Sequence, residues 1–345
     1  MSRCLPLVLL LLPLIGCQPP GATLPTLRPV KVDEAAAYPS QEPGIKPPIL
    51  TGFLPPHTKS LLADGYVQLF DGTSTYGWIK TGGKDSLSVK ENDSSHRGLT
   101  SDKTTDWDLM VEHRFAGIRL QFEGDELTVS EGNIFNTSGH SFSGTKNSRI
   151  VTGIRVRPHV HILPVLTESD WKPVAGASEA KWSDGVLELT GGVGMVESVK
   201  EYGDFILQLE YFTPVRPDGE GINSGLFFRC IPGEMLNGYK CQIFNSPPDE
   251  YYARFIGADT GGILRQHVGR NVGAKDGEWN YLTIAARGAD VAIWVNGIQV
   301  TDWTDKRAEH DNPRNGKRLQ PGTIQLQGHD PEMTILFRNM RIAEM

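Results

Sequence analysis

The sequence is short of the features that mark several common classes of protein. It has no excess of positive charge: 34 Lys and Arg stand against 41 Asp and Glu, a formal net charge of -7. No basic field is present to attract phosphates, so nucleic acid is not an expected partner. No stretch carries a convincing helical period, which points away from bundles and α/β folds. No GxSxG elbow, HExxH helix or CxxC pair occurs, so three familiar routes to hydrolysis, zinc and redox chemistry lack their machinery. The "ExDxxE" strand of glucanases is also missing, and with it the paired carboxylates about 5 Å apart that retaining hydrolysis needs. Glycine (38) and proline (23) are plentiful, and aromatics fall near strand-like runs. An all-β chain with many turns is the first expectation.

The N-terminus bears on the compartment. Arg3 precedes an apolar stretch from Leu5 to Ile15, far shorter than the ~20 residues of a membrane-spanning helix. It reads as a signal peptide over residues 1–17. Its end, "LIGC", resembles the bacterial lipobox, which implies lipidation at Cys17 and an exported protein anchored by lipid to a bacterial membrane. An ordinary secretory signal is the alternative. Cys4 would leave with the signal, so Cys230 and Cys241 alone remain in the folded part of an oxidising compartment. A disulfide between them would close a short loop and contribute roughly 3 kcal/mol. Two buried free thiols are the other possibility.

Residues 18–63 are dense in proline ("CQPPG", "IKPPIL", "FLPPHTK") and read as a tether. Folded structure is expected from Gly65. A smaller β-sandwich unit over 64–160 holds "SLSVKE", "DLMVEHRF", "GIRLQFEG", "ELTVSEG" and "SRIVTGIRVRP". A second, better defined unit over 161–345 holds "GVLELT", "DFILQLEYF", "SGLFFR", "GYKCQIF", "GILRQHV", "EWNYLTIAA", "VAIWV", "GIQVTDW", "GTIQLQG" and "MTILFRNMRI". Asn296-Gly297 is the strongest hairpin signal, because a type I′ turn needs positive φ at both positions.

Alternation along these strands sorts side chains onto faces. In Phe205–Phe212 one face carries Phe205, Leu207, Leu209 and Tyr211, and the other Ile206, Gln208, Glu210 and Phe212. Phe227 and Arg229 share a face, as do Thr323, Gln325 and Gln327. Amides, a carboxylate and a guanidinium on one side suit sugar hydroxyls and rings; plain solvent exposure is the bland alternative. His329, in the Gly-His-Asp-Pro corner after "TIQLQG", is the best acid/base candidate, since imidazole titrates near neutral pH. It could equally be a hydrogen-bonded turn residue. His159 and His161 could share one side of a strand, but no third ligand is evident, so no metal or other cofactor is identified.

The "LFDGxxxxGW" entry (Leu69 to Trp78), "DFILQLEY", "NSGLFFRC", "GYKCQI", "WVNGIQVTDWTD" and "GTIQLQGHDPEMTILFRNMRI" together resemble the bacterial 3-keto-disaccharide hydrolase (3-keto-glucoside 1,2-lyase/3-keto-2-hydroxy-glucal hydratase) family. That resemblance implies a concanavalin A-like jelly-roll sandwich with sugar handled on one sheet. It also implies a reaction: a base removes the C2 proton of a 3-keto-glycoside, the enolate is stabilised, the C1 substituent leaves and water adds. In that setting His329 and Glu210 are the candidate acid/base groups, with Arg229 and Arg265 as candidate enolate stabilisers. Asn223, Tyr239, Gln242, Gln325, Gln327 and Asp330 are the candidate ligands of a carbohydrate partner. Two features depart from the pattern. Lys240 stands after the tyrosine of "GY", where members often carry an acid, and the first unit has no "NSG" segment, so it is expected to be non-catalytic. A carbohydrate-binding or scaffolding lipoprotein is therefore the alternative to an enzyme.

Overall fold

The computed structural model describes residues 47, 50, 59–91, 97–103, 106–124, 126–130, 135–143, 151–174 and 176–345. The expected signal peptide, with Cys17, and nearly all of the expected tether lie outside these residues. The fold is an all-β sandwich of the jelly-roll kind. A five-stranded antiparallel sheet holds, in spatial order, Trp171–Val174, Gly194–Ser198, Thr323–Gly328, Ser224–Cys230 and Tyr239–Ile243. Facing it is a ten-stranded sheet that includes Val186–Thr190, Thr334–Glu344, Phe205–Phe212, Trp279–Arg287, Asp290–Val295 and Ile298–Thr304. The Asn296-Gly297 hairpin forms as the sequence predicts, with φ of 49° and 82° at the two positions.

Strand Phe205–Phe212 shows how the layers are built. Its odd-numbered residues Phe205, Leu207, Leu209 and Tyr211 enter the core between the two sheets, against Leu226, Phe228 and Leu326. On its reverse side Ile206 enters a second core with Ala285, Ala292 and Trp294, shared with Val67, Phe70, Trp78, Val111 and Phe115 from the N-terminal half. A strand covered on both faces has no need of a polar face, which explains why alternation in "FILQLEYF" is incomplete. The N-terminal half also extends the large sheet. Val67–Gln68 pairs in parallel with Ile298–Thr304 and antiparallel with Thr152–Pro158. His113 sits at the joint, fully buried, edge-on to Trp78 and stacked near Trp294, at 5.3 and 6.4 Å between ring centroids. Its Nδ1 accepts from the Ala116 N–H, so Nε2–H donates to Gln299 Oε1 at 3.1 Å. Burial pushes its pKa down to about 4.

Several local expectations need correction. "GILRQHV" is a run of turns with isolated bridges, one from Cys241 to Ile263. His159 and His161 lie in a 3₁₀ turn, His159–Ile162, so they are not on one side of a strand. Among the described residues there are two short α-helices, Lys59–Ala63 and Asp249–Arg254. The second follows Pro248 and has Asp249 and Glu250 in its first turn and Arg254 in its last, the arrangement that complements the helix dipole. Cys230 and Cys241 are not bonded; both are buried free thiols. Cys241 pairs with Leu226, four positions along the strand from Cys230, a separation of ~13 Å at about 3.3 Å per residue. A disulfide needs Cα atoms within ~7 Å. Burial raises both thiol pKa values, that of Cys241 to about 12.

Candidate active site

The five-stranded sheet turns Val196, Leu226, Phe228, Cys241, Ile324 and Leu326 into the core, so the alternate residues form its other face. Registration lines them up in rows. In one row Lys240 pairs with Phe227, Phe227 with Gln325, and Gln325 with Glu197. In the next, Gln242 pairs with Gly225, and Gln327 with Met195. One step further along, Asn223 and His329 meet across the ends of their strands. Although this face is polar, Asn223, Lys240, Gln242, Gln325, Gln327 and Glu197 are all buried.

A hydrogen-bonded chain runs through the last two rows. Nδ1 of His329 lies 2.8 Å from Asp330 Oδ1. With its proton directed at that carboxylate, Nε2 is left as the basic nitrogen and accepts from Asn223 Nδ2 at 3.3 Å. Asn223 Nδ2 also reaches the Tyr251 hydroxyl at 3.3 Å, and Asn223 Oδ1 accepts from Gln242 Nε2 at 3.1 Å. Tyr251 comes from the helix Asp249–Arg254 and packs between Phe244 and Phe255, with ring centroids 5.1 and 4.6 Å away. The guanidinium of Arg265 lies 4.3 Å from the centre of the Phe255 ring. The tight corner that presents His329 depends on Gly328, where a Cβ would fall 2.0 Å from Ser178 Oγ. Two amide oxygens on the face, Gln242 Oε1 and Gln325 Oε1, are buried with no hydrogen-bond donor among the described residues. An uncompensated buried acceptor costs ~1–3 kcal/mol, so both suit a hydroxyl-bearing ligand.

Glu197 anchors the other end of the face. Burial pushes its carboxyl pKa up, but hydrogen bonds from the Gly233 N–H, Thr323, Lys172 and Gln325 outweigh that and hold it below the ordinary value. It therefore stays ionised and ties the Gly233 turn to the sheet. The alternation of Met195 and Glu197 with Val196 and Ser198 was the available sign of this strand, and the sequence reading missed it, along with Tyr251.

The structure thus brings His329, Asp330, Asn223, Gln242, Gln325 and Gln327 to one face, with Arg265 beside it. Three other candidates lie elsewhere. Glu210 is on the ten-stranded sheet, on the side away from the main core, where Arg338 donates two hydrogen bonds at 2.7 and 2.9 Å and Asn339 one at 2.6 Å. It lines a small cavity with Gly65, His161, Gln208 and Arg341, two sheets away from His329. Arg229 has φ of 49° within a β-bulge, which turns its side chain off the face that Phe227 shares. Its guanidinium donates to the carbonyls of Gly203, Gly288 and Arg318 and to Asp204. Tyr239 points into the core, where its hydroxyl donates to Asp305 at 2.9 Å and accepts from the Arg318 N–H at 2.8 Å. Among the described residues no group of three or more His, Cys, Asp or Glu is placed to hold a metal ion.

Residues 166–343, just over half of the chain, match the family of 3-keto-alpha-glucoside-1,2-lyase-like domains, and the chain belongs to that family. Similar solved structures include two candidate glycosyl hydrolases from Parabacteroides distasonis. One is 24% identical over 51% of this chain and 99% of its own, with a TM-score of 0.39. The other is 28% identical over 51% and 79%, also at 0.39. The carbohydrate-binding module CBM66 from Bacillus subtilis is 16% identical over 51% and 96%, at 0.37. No curated protein matches the chain.

Proposed function

We propose that the 166–343 domain cleaves 3-keto-glucosides by elimination followed by hydration. The observation that carries this reading is His329, whose Nδ1 is engaged by Asp330 and whose Nε2 points to a buried face rich in amides. A ketone at C3 acidifies the C2 proton. Nε2 of His329 takes that proton, the electron pair forms an enolate through the C3 oxygen, and collapse of the enolate expels the C1 substituent with its bonding electrons. The imidazolium then gives its proton to the leaving oxygen; in the hydration that follows, water adds at C1, loses a proton to Nε2, and that proton is returned to C2. Asp330 favours the imidazolium that forms in between. Asn223, Gln242, Gln325 and Gln327 would hold the sugar hydroxyls, and the Tyr251 ring would border the sugar plane.

His329→Gln tests this reading. It keeps much of the size and polarity, so thermal stability should hold while release of an aglycone from a 3-keto-glucoside falls ~10²- to 10⁴-fold. An unchanged rate would return His329 to the role of a turn residue. A binding module is the second reading, favoured by Lys240 at a position that is often acidic in the family. It predicts sugar binding with no turnover in the native protein. In either case the "LIGC" motif supports an exported protein held at a bacterial membrane by lipid on Cys17.

A further inference from the structure

Asn223 precedes strand Ser224–Cys230 and sits one residue from the hydroxyl that pins this strand to its neighbour: Ser224 Oγ donates to Gln327 O at 2.7 Å. That bond sets Asn223 against His329. The asparagine is only 5% exposed, and its amide is held in one orientation, because Gln242 Nε2 donates to its Oδ1 at 3.1 Å. Its nitrogen therefore faces the imidazole and the Tyr251 hydroxyl, each at 3.3 Å. Gln242 and Gln325 are turned the opposite way. Gln325 Nε2 donates to Glu197 Oε2 at 3.2 Å and to the Glu234 carbonyl at 3.0 Å, and Gln242 Nε2 is taken by Asn223. Each glutamine is left with a buried oxygen that has no donor among the described residues. The face is thus polarised, with a donor beside the base and acceptors farther along. Sugar hydroxyls can donate to those acceptors; a ketone oxygen carries no hydrogen and needs the donor.

The lone pair of His329 Nε2 that must take the C2 proton is the one to which Asn223 Nδ2 donates. A substrate whose C2–H comes against Nε2 displaces that hydrogen. The C3 oxygen lies only about 2.4 Å from C2, given bonds of about 1.2 and 1.5 Å, so it arrives beside the N–H just released. We infer that Asn223 Nδ2 donates to the C3 ketone oxygen and stabilises the enolate oxygen that forms from it. This narrows Asn223 from a ligand of hydroxyls to a catalytic residue, the group that selects the oxidised sugar over the ordinary glucoside. As C2 gives its proton to Nε2, the C–H electron pair becomes the C2=C3 bond and the carbonyl π pair moves onto oxygen. A fixed N–H binds that oxyanion more strongly than the neutral ketone, so its contribution grows toward the transition state. Gln242 acts through Asn223 as a positioning residue. The assignment rests on the 3-keto-glucoside reading.

Asn223→Leu, close in shape and without the N–H, and Gln242→Glu test the inference together. A glutamate at 242 can only accept, so it draws the Asn223 nitrogen to itself and turns the oxygen toward His329, reversing the amide while leaving it present. Each variant would be compared with the native protein for turnover of a nitrophenyl 3-keto-glucoside and for melting temperature. Calorimetry would compare binding of a 3-keto C-glucoside, whose C1 carbon substituent cannot leave, with that of the corresponding C-glucoside. With turnover in the native protein, Asn223→Leu should lose ~10²- to 10³-fold in kcat together with the preference for the keto sugar, while C-glucoside binding and melting temperature hold. Gln242→Glu should lose both in the same way, and it decides alone if Asn223→Leu does not fold. Activity within threefold of native, or a loss matched by equal loss of C-glucoside binding, overturns the role of Asn223 and leaves the enzyme reading intact. If the native protein shows no turnover, the enzyme reading fails, and binding decides the rest. A preference for the keto sugar that disappears in Asn223→Leu upholds ketone recognition, whereas equal preference in the two proteins, or no binding, overturns it.

Discussion

Replacement of Arg229 separates a structural from a chemical role for a residue that the sequence offers as an enolate stabiliser. Its side chain is 1% exposed and donates to Gly203 O at 3.1 Å, Gly288 O at 2.5 Å, Arg318 O at 3.1 Å and Asp204 Oδ1 at 2.9 Å. These partners belong to the loop before Phe205–Phe212, the turn after Trp279–Arg287 and the segment before Thr323–Gly328, so one guanidinium ties three connections together. The ion pair itself adds little, because Asp204 is 41% exposed and its charge is screened. The carbonyls matter more, since each buried acceptor left without a donor costs ~1–3 kcal/mol. Partial relaxation of the half-buried turn at Gly288 brings the expected loss for Arg229→Met to about 3–5 kcal/mol, a large share of the ~5–15 kcal/mol that stabilises a typical domain. Urea unfolding at 15 °C measures it, and turnover at the same temperature should stay within a few-fold of native in the fraction that remains folded. A loss below about 1 kcal/mol would refute the argument, as would a kcat reduced a hundredfold or more at full stability.

Two further outcomes are expected. The folded-state pKa of His113, pushed to about 4 by burial, lies below its unfolded value of ~6.5, so between these limits the unfolded chain binds the extra proton. The stabilisation is therefore fully present above pH ~6.5 and lost as pH falls toward 4, by up to about 3 kcal/mol. His113→Gln should flatten the slope of unfolding free energy against pH across this window, and an unaltered slope would count against it. Cys17→Ser should move the full-length protein from the membrane fraction to the soluble one if the lipobox reading holds; unchanged fractionation would reject the lipid anchor.

The elements that depend on local chemistry were legible in the amino-acid order alone. Alternation marked most of the strands, Asn296-Gly297 marked its hairpin because few residue pairs tolerate two positive φ values, and Gly328-His329-Asp330-Pro331 marked the corner that presents the imidazole. Alternation also placed Gln325 and Gln327 together, and they remain together in the folded chain. What alternation cannot say is which sheet a face belongs to or what lies over it. Gln208 and Glu210 show the same pattern of polar residues as Gln325 and Gln327, yet they lie on the opposite side of the molecule, where the N-terminal half covers them. Arg229 has the parity of Phe227 until a bulge at φ 49° turns it away. Cys230 and Cys241 flank a short loop, but strand register sets them four residues apart. The Lys240 stem has room only because Gly225, fifteen positions away in sequence and two residues from its cross-strand partner Phe227, has no side chain. Local propensity acts over a few residues, whereas register, bulges and coverage are set by contacts between segments distant in sequence, which form only when the chain folds.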